Sequence, residues 1–180
     1  LLLGALLAAP PDAALIELLR DIHPVTDADD AVMMAAWQGL QAAATTADLD
    51  RLQDEYFKIF IGLGRGELVP YASFYIHGLL MEKVLAALRD ELAALGIERQ
   101  EDVAEPEDHA AAVCEVMGMI ISEPGLHYKQ AAFFKEYVAS WLGQFFTDLE
   151  NAEAADFYRA VAQLGQQLLA LETRYFSLPE

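Results

Sequence analysis

The chain has 180 residues, 11 basic against 29 acidic, and a formal net charge of -18. A chain of this length buries a core without metals or disulfides. The charge repels nucleic-acid phosphates and anionic lipid and attracts basic peptides, and a single cysteine, Cys114, excludes an internal disulfide and points to the cytoplasm. Apolar residues recur at helical spacing throughout and no stretch reads as a strand, so the expected fold is all-α: one globular helical bundle over residues 1–180.

Leu1-Leu2-Leu3-Gly4-Ala5-Leu6-Leu7-Ala8-Ala9 lacks a preceding basic region and is too short to span a bilayer, so it reads as a first core helix broken at Pro10-Pro11, with no stable membrane insertion. There is no initiator Met, and the natural start is expected upstream. A second segment opens at Pro11-Asp12 and runs to about Ile22, ended by His23-Pro24-Val25-Thr26-Asp27. A helix from about Asp29 places Val32, Met33, Ala36, Trp37 and Leu40 on one face, and Thr45-Thr46-Ala47-Asp48 supplies its stop and the next cap. The helix from Asp48 carries Leu52, Tyr56, Ile59 and Phe60 to Gly62, where the glycine loop 62–66 reverses the chain.

Pro70 leads into a long helix with an apolar face of Phe74, Ile76, Leu79, Leu80, Val84, Leu85, Leu88, Leu92 and Leu95, terminated by Gly96. After an acidic connection at 97–104, Pro106 suits the first turn of a helix that ends near Ser122. Beyond Glu123-Pro124-Gly125, the stripe Phe133, Phe134, Tyr137, Val138, Trp141, Leu142, Phe145, Phe146 and Leu149 reads as core. A last helix from about Ala152 to Phe176 continues with Phe157, Tyr158, Val161, Leu164, Leu168 and Leu171.

His23, His77, His109 and His127 form no metal-ligand spacing, and the order Asp108-His109 is the reverse of the His-Asp pair of metal phosphohydrolases. Neither a metal nor another cofactor is expected. The loop Gly62-Leu63-Gly64-Arg65-Gly66 lacks a Gly-Lys-Ser/Thr ending and follows a helix, so a helix connection outweighs a nucleotide (GTP) site. Cys114 lies mid-helix between apolar neighbours and reads as an inert thiol. No nucleophile elbow occurs, and the protein is not expected to be an enzyme.

Two elements look suited to recognition. Glu105-Pro106-Glu107-Asp108-His109 gathers three carboxylates and an imidazole at a helix start. The acids alone would cap free N–H groups and complement the helix dipole, while the carboxylates would favour a protonated His109; cap and site both stay open. Pro70-Tyr71-Ala72-Ser73-Phe74-Tyr75, with Tyr56, offers rings with polar tips, which serve equally as core packing or as peptide-contacting surface.

With Tyr56-Phe57-Lys58-Ile59-Phe60-Ile61-Gly62, Pro70 to Tyr75 and the Glu-Pro-x-Asp-His element followed by Met117, the chain resembles the TorD family of redox-enzyme maturation chaperones, which includes the DmsD and NarJ-like proteins. The resemblance covers nearly the whole chain. It implies an all-α cytoplasmic chaperone that binds the twin-arginine signal peptide and catalytic subunit of a molybdoenzyme before export, as a monomer or helix-swapped dimer. Carried over by motif, Asp108, His109, Pro70 and Tyr71 belong to the signal-peptide surface, with Tyr56, Tyr75 and Glu105 around it. Leu63, where the family commonly has proline, and Tyr137, where histidine is frequent, depart from the pattern and blur the subgroup and client. The connection Ser122-Glu123-Pro124-Gly125-Leu126 is short for the family, and residues are expected to be absent there. A generic helical adaptor is the remaining alternative.

Overall fold

In the computed structural model, residues 1–22, 30–79, 82–100 and 103–178 are described. The expected loop at 23–27, the helix start at Asp29 and Leu80 lie outside them. Ten α-helices and no strand occur among the described residues, in agreement with the all-α expectation. The chain groups into two compact units: Leu1–Ala8 with Pro70–Phe145, and Ala9–Val69 with Phe146–Glu180.

In the second unit, α2 (Ala13–Asp21), α3 (Ala31–Thr46) and α4 (Leu49–Tyr56) each begin at an aspartate whose carboxylate accepts a backbone N–H three residues on. Asp12 takes that of Leu15 (2.8 Å), Asp30 that of Met33 (3.0 Å) and Asp48 that of Arg51 (3.0 Å). The side chain of Gln41 donates to the last carbonyls of α2, at Arg20 (2.8 Å) and Ile22 (3.2 Å), while Arg20 Nε donates to the Ala44 carbonyl of α3 (2.9 Å). Each helix thereby donates a side-chain hydrogen bond to the C-terminal end of the other. Ala36, Leu40 and Ala44 are buried, but Val32, expected on that face, is 61% exposed.

The wide turn Phe57–Ile61 continues α4 and closes when the Gly62 N–H donates to the Phe57 carbonyl (2.7 Å). Gly62 has φ +62, and a Cβ there would lie 2.0 Å from the Arg65 carbonyl oxygen, so the reversal itself demands glycine. No phosphate is needed to explain it. The last helix, α10, covers Phe157–Tyr175, and it starts five residues later than the apolar pattern suggests. The N–H groups just before it are intercepted by side chains: Glu67 takes those of Glu153 (2.7 Å) and Ala154 (3.0 Å). Glu55 takes those of Asp156 (2.8 Å), Phe157 (3.2 Å) and Tyr158 (2.8 Å). Phe157, Tyr158, Val161 and Leu164 are buried, whereas Leu171 toward the free end is exposed.

In the first unit α1 (Leu2–Ala8) packs on α7 (Ala110–Ser122). The helix expected to run unbroken from Pro70 is two helices, α5 (Ala72–His77) and α6 (Glu82–Ala94). Gly78 divides them, adopting φ +75 while its N–H donates to the Phe74 carbonyl (2.7 Å). Ile76 and Leu79 are exposed, whereas Leu88 and Leu92 are buried. After α7 a tight helical turn, Pro124–Lys129, leads to α8 (Gln130–Phe133), a wide turn at Phe134–Val138 and α9 (Leu142–Asn151), within which the two units meet in sequence. Phe133, Phe134, Val138, Trp141, Leu142, Phe145, Phe146 and Leu149 are all buried. Tyr137 is half-buried, its hydroxyl directed at the Ala87 carbonyl.

Candidate functional site

Pro70-Tyr71 and Asp108-His109 meet as a short antiparallel junction of the kind found between paired strands. The Ala72 N–H donates to the Asp108 carbonyl (2.9 Å) and the Ala110 N–H to the Pro70 carbonyl (2.8 Å). A helix begun at Pro106 would need that Ala110 N–H for the Pro106 carbonyl. The junction has taken it, so 105–108 form a turn, closed by the His109 N–H on Pro106 (3.0 Å), and α7 starts only after His109. This corrects the expectation that the three carboxylates sit in the first turn of the helix.

Each side chain of the motif has a defined task. Asp108, 2% exposed, aims Oδ2 at the Ser73 N–H (3.1 Å) and so caps α5, a helix 35 positions back in the chain. His109, 5% exposed, is the N-cap of α7: its Nδ1 accepts the Ala111 N–H (3.2 Å). That geometry requires the neutral ring, and burial holds the His109 pKa below its ordinary value of 6.5 against the opposing pull of Glu105 and Asp108. Glu105 and Asp108 do favour the protonated ring, as expected, but desolvation outweighs them. The Tyr71 hydroxyl donates to Glu105 Oε2, and the Tyr71 ring stands edge-on to His109 at 5.2 Å. Pro70 is buried; Tyr71 and Glu105 are half-buried.

Five of the seven residues singled out from the sequence therefore come together: Pro70, Tyr71, Glu105, Asp108 and His109. Tyr75 belongs to the same unit but packs against Trp141 (5.6 Å) and Phe145 (5.9 Å). Tyr56 belongs to the second unit, buried against Phe60 (4.9 Å) and Tyr158 (5.9 Å). Sequence reasoning missed Ser73, whose contribution is a backbone N–H that its side-chain type does not reveal.

Beside the junction, residues of 97–100 and 103–107 in the connection, with α7, line a groove of about 330 Å³. Its walls include Leu92, Ile97, Val103, Val116 and Met119, and it carries the carboxylates of Glu98, Glu105, Glu107 and Glu115. Arg89 Nε (2.9 Å) and Arg99 Nε (3.5 Å) converge on Glu107, whose side chain is 13% exposed. Arg99 Nη1 also donates to the carbonyls of Val103 (2.6 Å) and Glu105 (3.5 Å), which holds the connection in place. Among the described residues no group of three or more His, Cys, Asp or Glu is arranged to hold a metal. Desolvation pushes the Cys114 thiol up to about 12, so it carries no thiolate at neutral pH. None of the described helices is long and apolar enough to cross a membrane.

Fold and junction together describe an all-helical protein in which Asp108 and His109 organise helix starts. The chain belongs to the nitrate reductase delta subunit family, whose model matches residues 26–147. It is 30% identical over 149 residues to the chaperone protein TorD of Vibrio parahaemolyticus, an alignment covering 71% of this chain and 69% of the relative. To the chaperone protein TorD of Vibrio cholerae strain O395 it is 28% identical over 137 residues, spanning 62% of that relative's length. A crystal structure of a candidate redox enzyme maturation protein from Archaeoglobus fulgidus shares the fold, with a TM-score of 0.62 over 94% of this chain and 91% of the other at 20% identity.

Proposed function

We propose that this protein is a cytoplasmic chaperone that binds the twin-arginine signal peptide of a molybdenum-cofactor oxidoreductase and keeps its catalytic subunit from export until the cofactor is in place. The observation that carries the reading is the junction of Pro70-Tyr71 with Glu105 to His109 in a chain of net charge -18. Asp108 and His109 act from beneath the surface as positioning residues, with both side chains committed to helix starts. What they position is the half-buried pair above them, the Tyr71 ring and the Glu105 carboxylate. A ring of that kind offers contact area at low entropic cost, and a carboxylate pairs with arginine through two parallel hydrogen bonds. The relatives named as chaperones favour the same reading.

The test is a calorimetric titration with a synthetic peptide carrying an Arg-Arg pair followed by an apolar run. Saturable binding is expected, weakened about tenfold when the pair is Lys-Lys, which lacks the planar fork. Tyr71→Ala, which removes the ring but leaves the Asp108 cap, is expected to weaken it by a similar factor. Absence of saturable binding by the unaltered protein rejects the proposal.

A further inference from the structure

The groove beside the junction combines two properties that a solvated acidic rim does not need. One is apolar surface left open: Val103 is 42% and Met119 44% exposed, next to the half-buried Ile97 and buried Leu92 and Val116. The second is that guanidinium groups of the chain itself already sit against its carboxylate and carbonyl oxygens. Arg89 and Arg99 both reach Glu107, and Arg99 spans two backbone carbonyls of the groove wall. The Glu98 and Glu115 carboxylates line the same space, and among the described residues neither carboxylate makes a hydrogen bond or an ion pair. A further hollow of about 320 Å³ continues the groove past Ile97 to Arg89 and Ala93.

Charge decides what fits. A second copy of a chain carrying -18, or an anionic lipid surface, would be repelled from a groove lined by four glutamates. A basic peptide would be drawn in, and apolar side chains beside its cationic ones would cover Val103 and Met119.

Resting on the function proposed above, we infer that this groove seats the arginine-bearing stretch of the client peptide. Glu98 and Glu115 take the incoming guanidinium groups, and Ile97, Val103 and Met119 take the apolar side chains beside them. Glu107 is not the receptor, because Arg89 and Arg99 already neutralise it. The groove extends the recognition surface from the Tyr71 and Glu105 pair along α7, and it involves residues that lie outside the Glu-Pro-x-Asp-His motif.

The experiment is fluorescence anisotropy with the labelled Arg-Arg peptide and the full chain. Glu98→Gln combined with Glu115→Gln removes charge without changing shape and is expected to weaken binding about tenfold, as loss of charge-assisted pairing does. It should also narrow the preference for Arg-Arg over Lys-Lys. Met119→Gln, uncharged and at an exposed position, tests the apolar wall separately and should weaken binding of both peptides by a comparable factor. If Tyr71→Ala weakens binding but both groove variants bind as the unaltered protein does, the chaperone reading stands and the groove assignment is overturned. If the unaltered protein does not bind the peptide, both are overturned.

Discussion

Each unit anchors a helix start with a carboxylate brought in from a distant part of the chain, but the surroundings of the two carboxylates differ. Glu55 lies in the second unit and takes three backbone N–H groups, 101 to 103 positions away, with both oxygens engaged and Tyr158 buried beside it. Asp108 lies in the first unit and takes one N–H with its side chain, while its backbone carbonyl takes another. Above Asp108 the Tyr71 ring and Glu105 remain half-buried at the edge of a groove, so part of that assembly stays available to a partner. A buried acid at a helix start is therefore no sign of a binding site by itself. What distinguishes the first unit is the open polar and apolar surface that its buried acid holds in position.

This contrast sets the order of expected effects. Glu55→Ala leaves three donors at a buried helix start and should cost about 3 kcal/mol in urea unfolding, with Glu55→Gln recovering part of it and peptide binding unchanged in the folded protein. A loss no larger than that of an exposed cap would mean that Glu55 is not what holds α10. Asp108→Ala removes one such bond and should cost about 2 kcal/mol. Unlike the Glu55 variant it should also weaken the peptide complex, by letting Tyr71 and Glu105 shift. Equal binding in both variants would erase the proposed difference between the units.

The smallest effect concerns pH. His109 has a folded value below its ordinary 6.5, so the unfolded chain takes up the proton first. Its contribution to stability is complete above about pH 6.5 and is lost as pH falls through the folded value. His109→Asn keeps an acceptor for the Ala111 N–H but cannot titrate. Thermal unfolding followed between about pH 7.5 and about pH 5.5 should show a shallower decline for the variant than for the unaltered protein. Identical slopes would show that the ring is not held neutral by its surroundings.

Much of the fold was legible from short-range chemistry. Asp12 and Asp48 were readable as caps because their partners lie three residues on, and the paired aromatic residues near 133–149 were readable as core because no other face could hold them. The resemblance carried by the Glu-Pro-x-Asp-His element agrees with the family match and the relatives. Glu55 gave no signal, since its three partners are a hundred positions away. The groove gave none either, because Glu98 comes from a different segment than Glu115 and Met119 of α7, and each looks separately like an ordinary surface or helix residue.

What the sequence by itself determined was the all-helical class, most of the helix ends and the family. The class and the helix ends follow from periodicity, capping and glycine conformations, which act over three to five residues, and the family from the resemblance of its motifs. Only the tertiary structure decided which apolar faces are covered, as Val32, Ile76 and Leu79 show by lying exposed despite their helical spacing. It also decided that α7 begins after His109 and not at Pro106. A backbone N–H has one proton to donate, and that of Ala110 goes to Pro70, forty residues away, because the junction holds the two segments side by side.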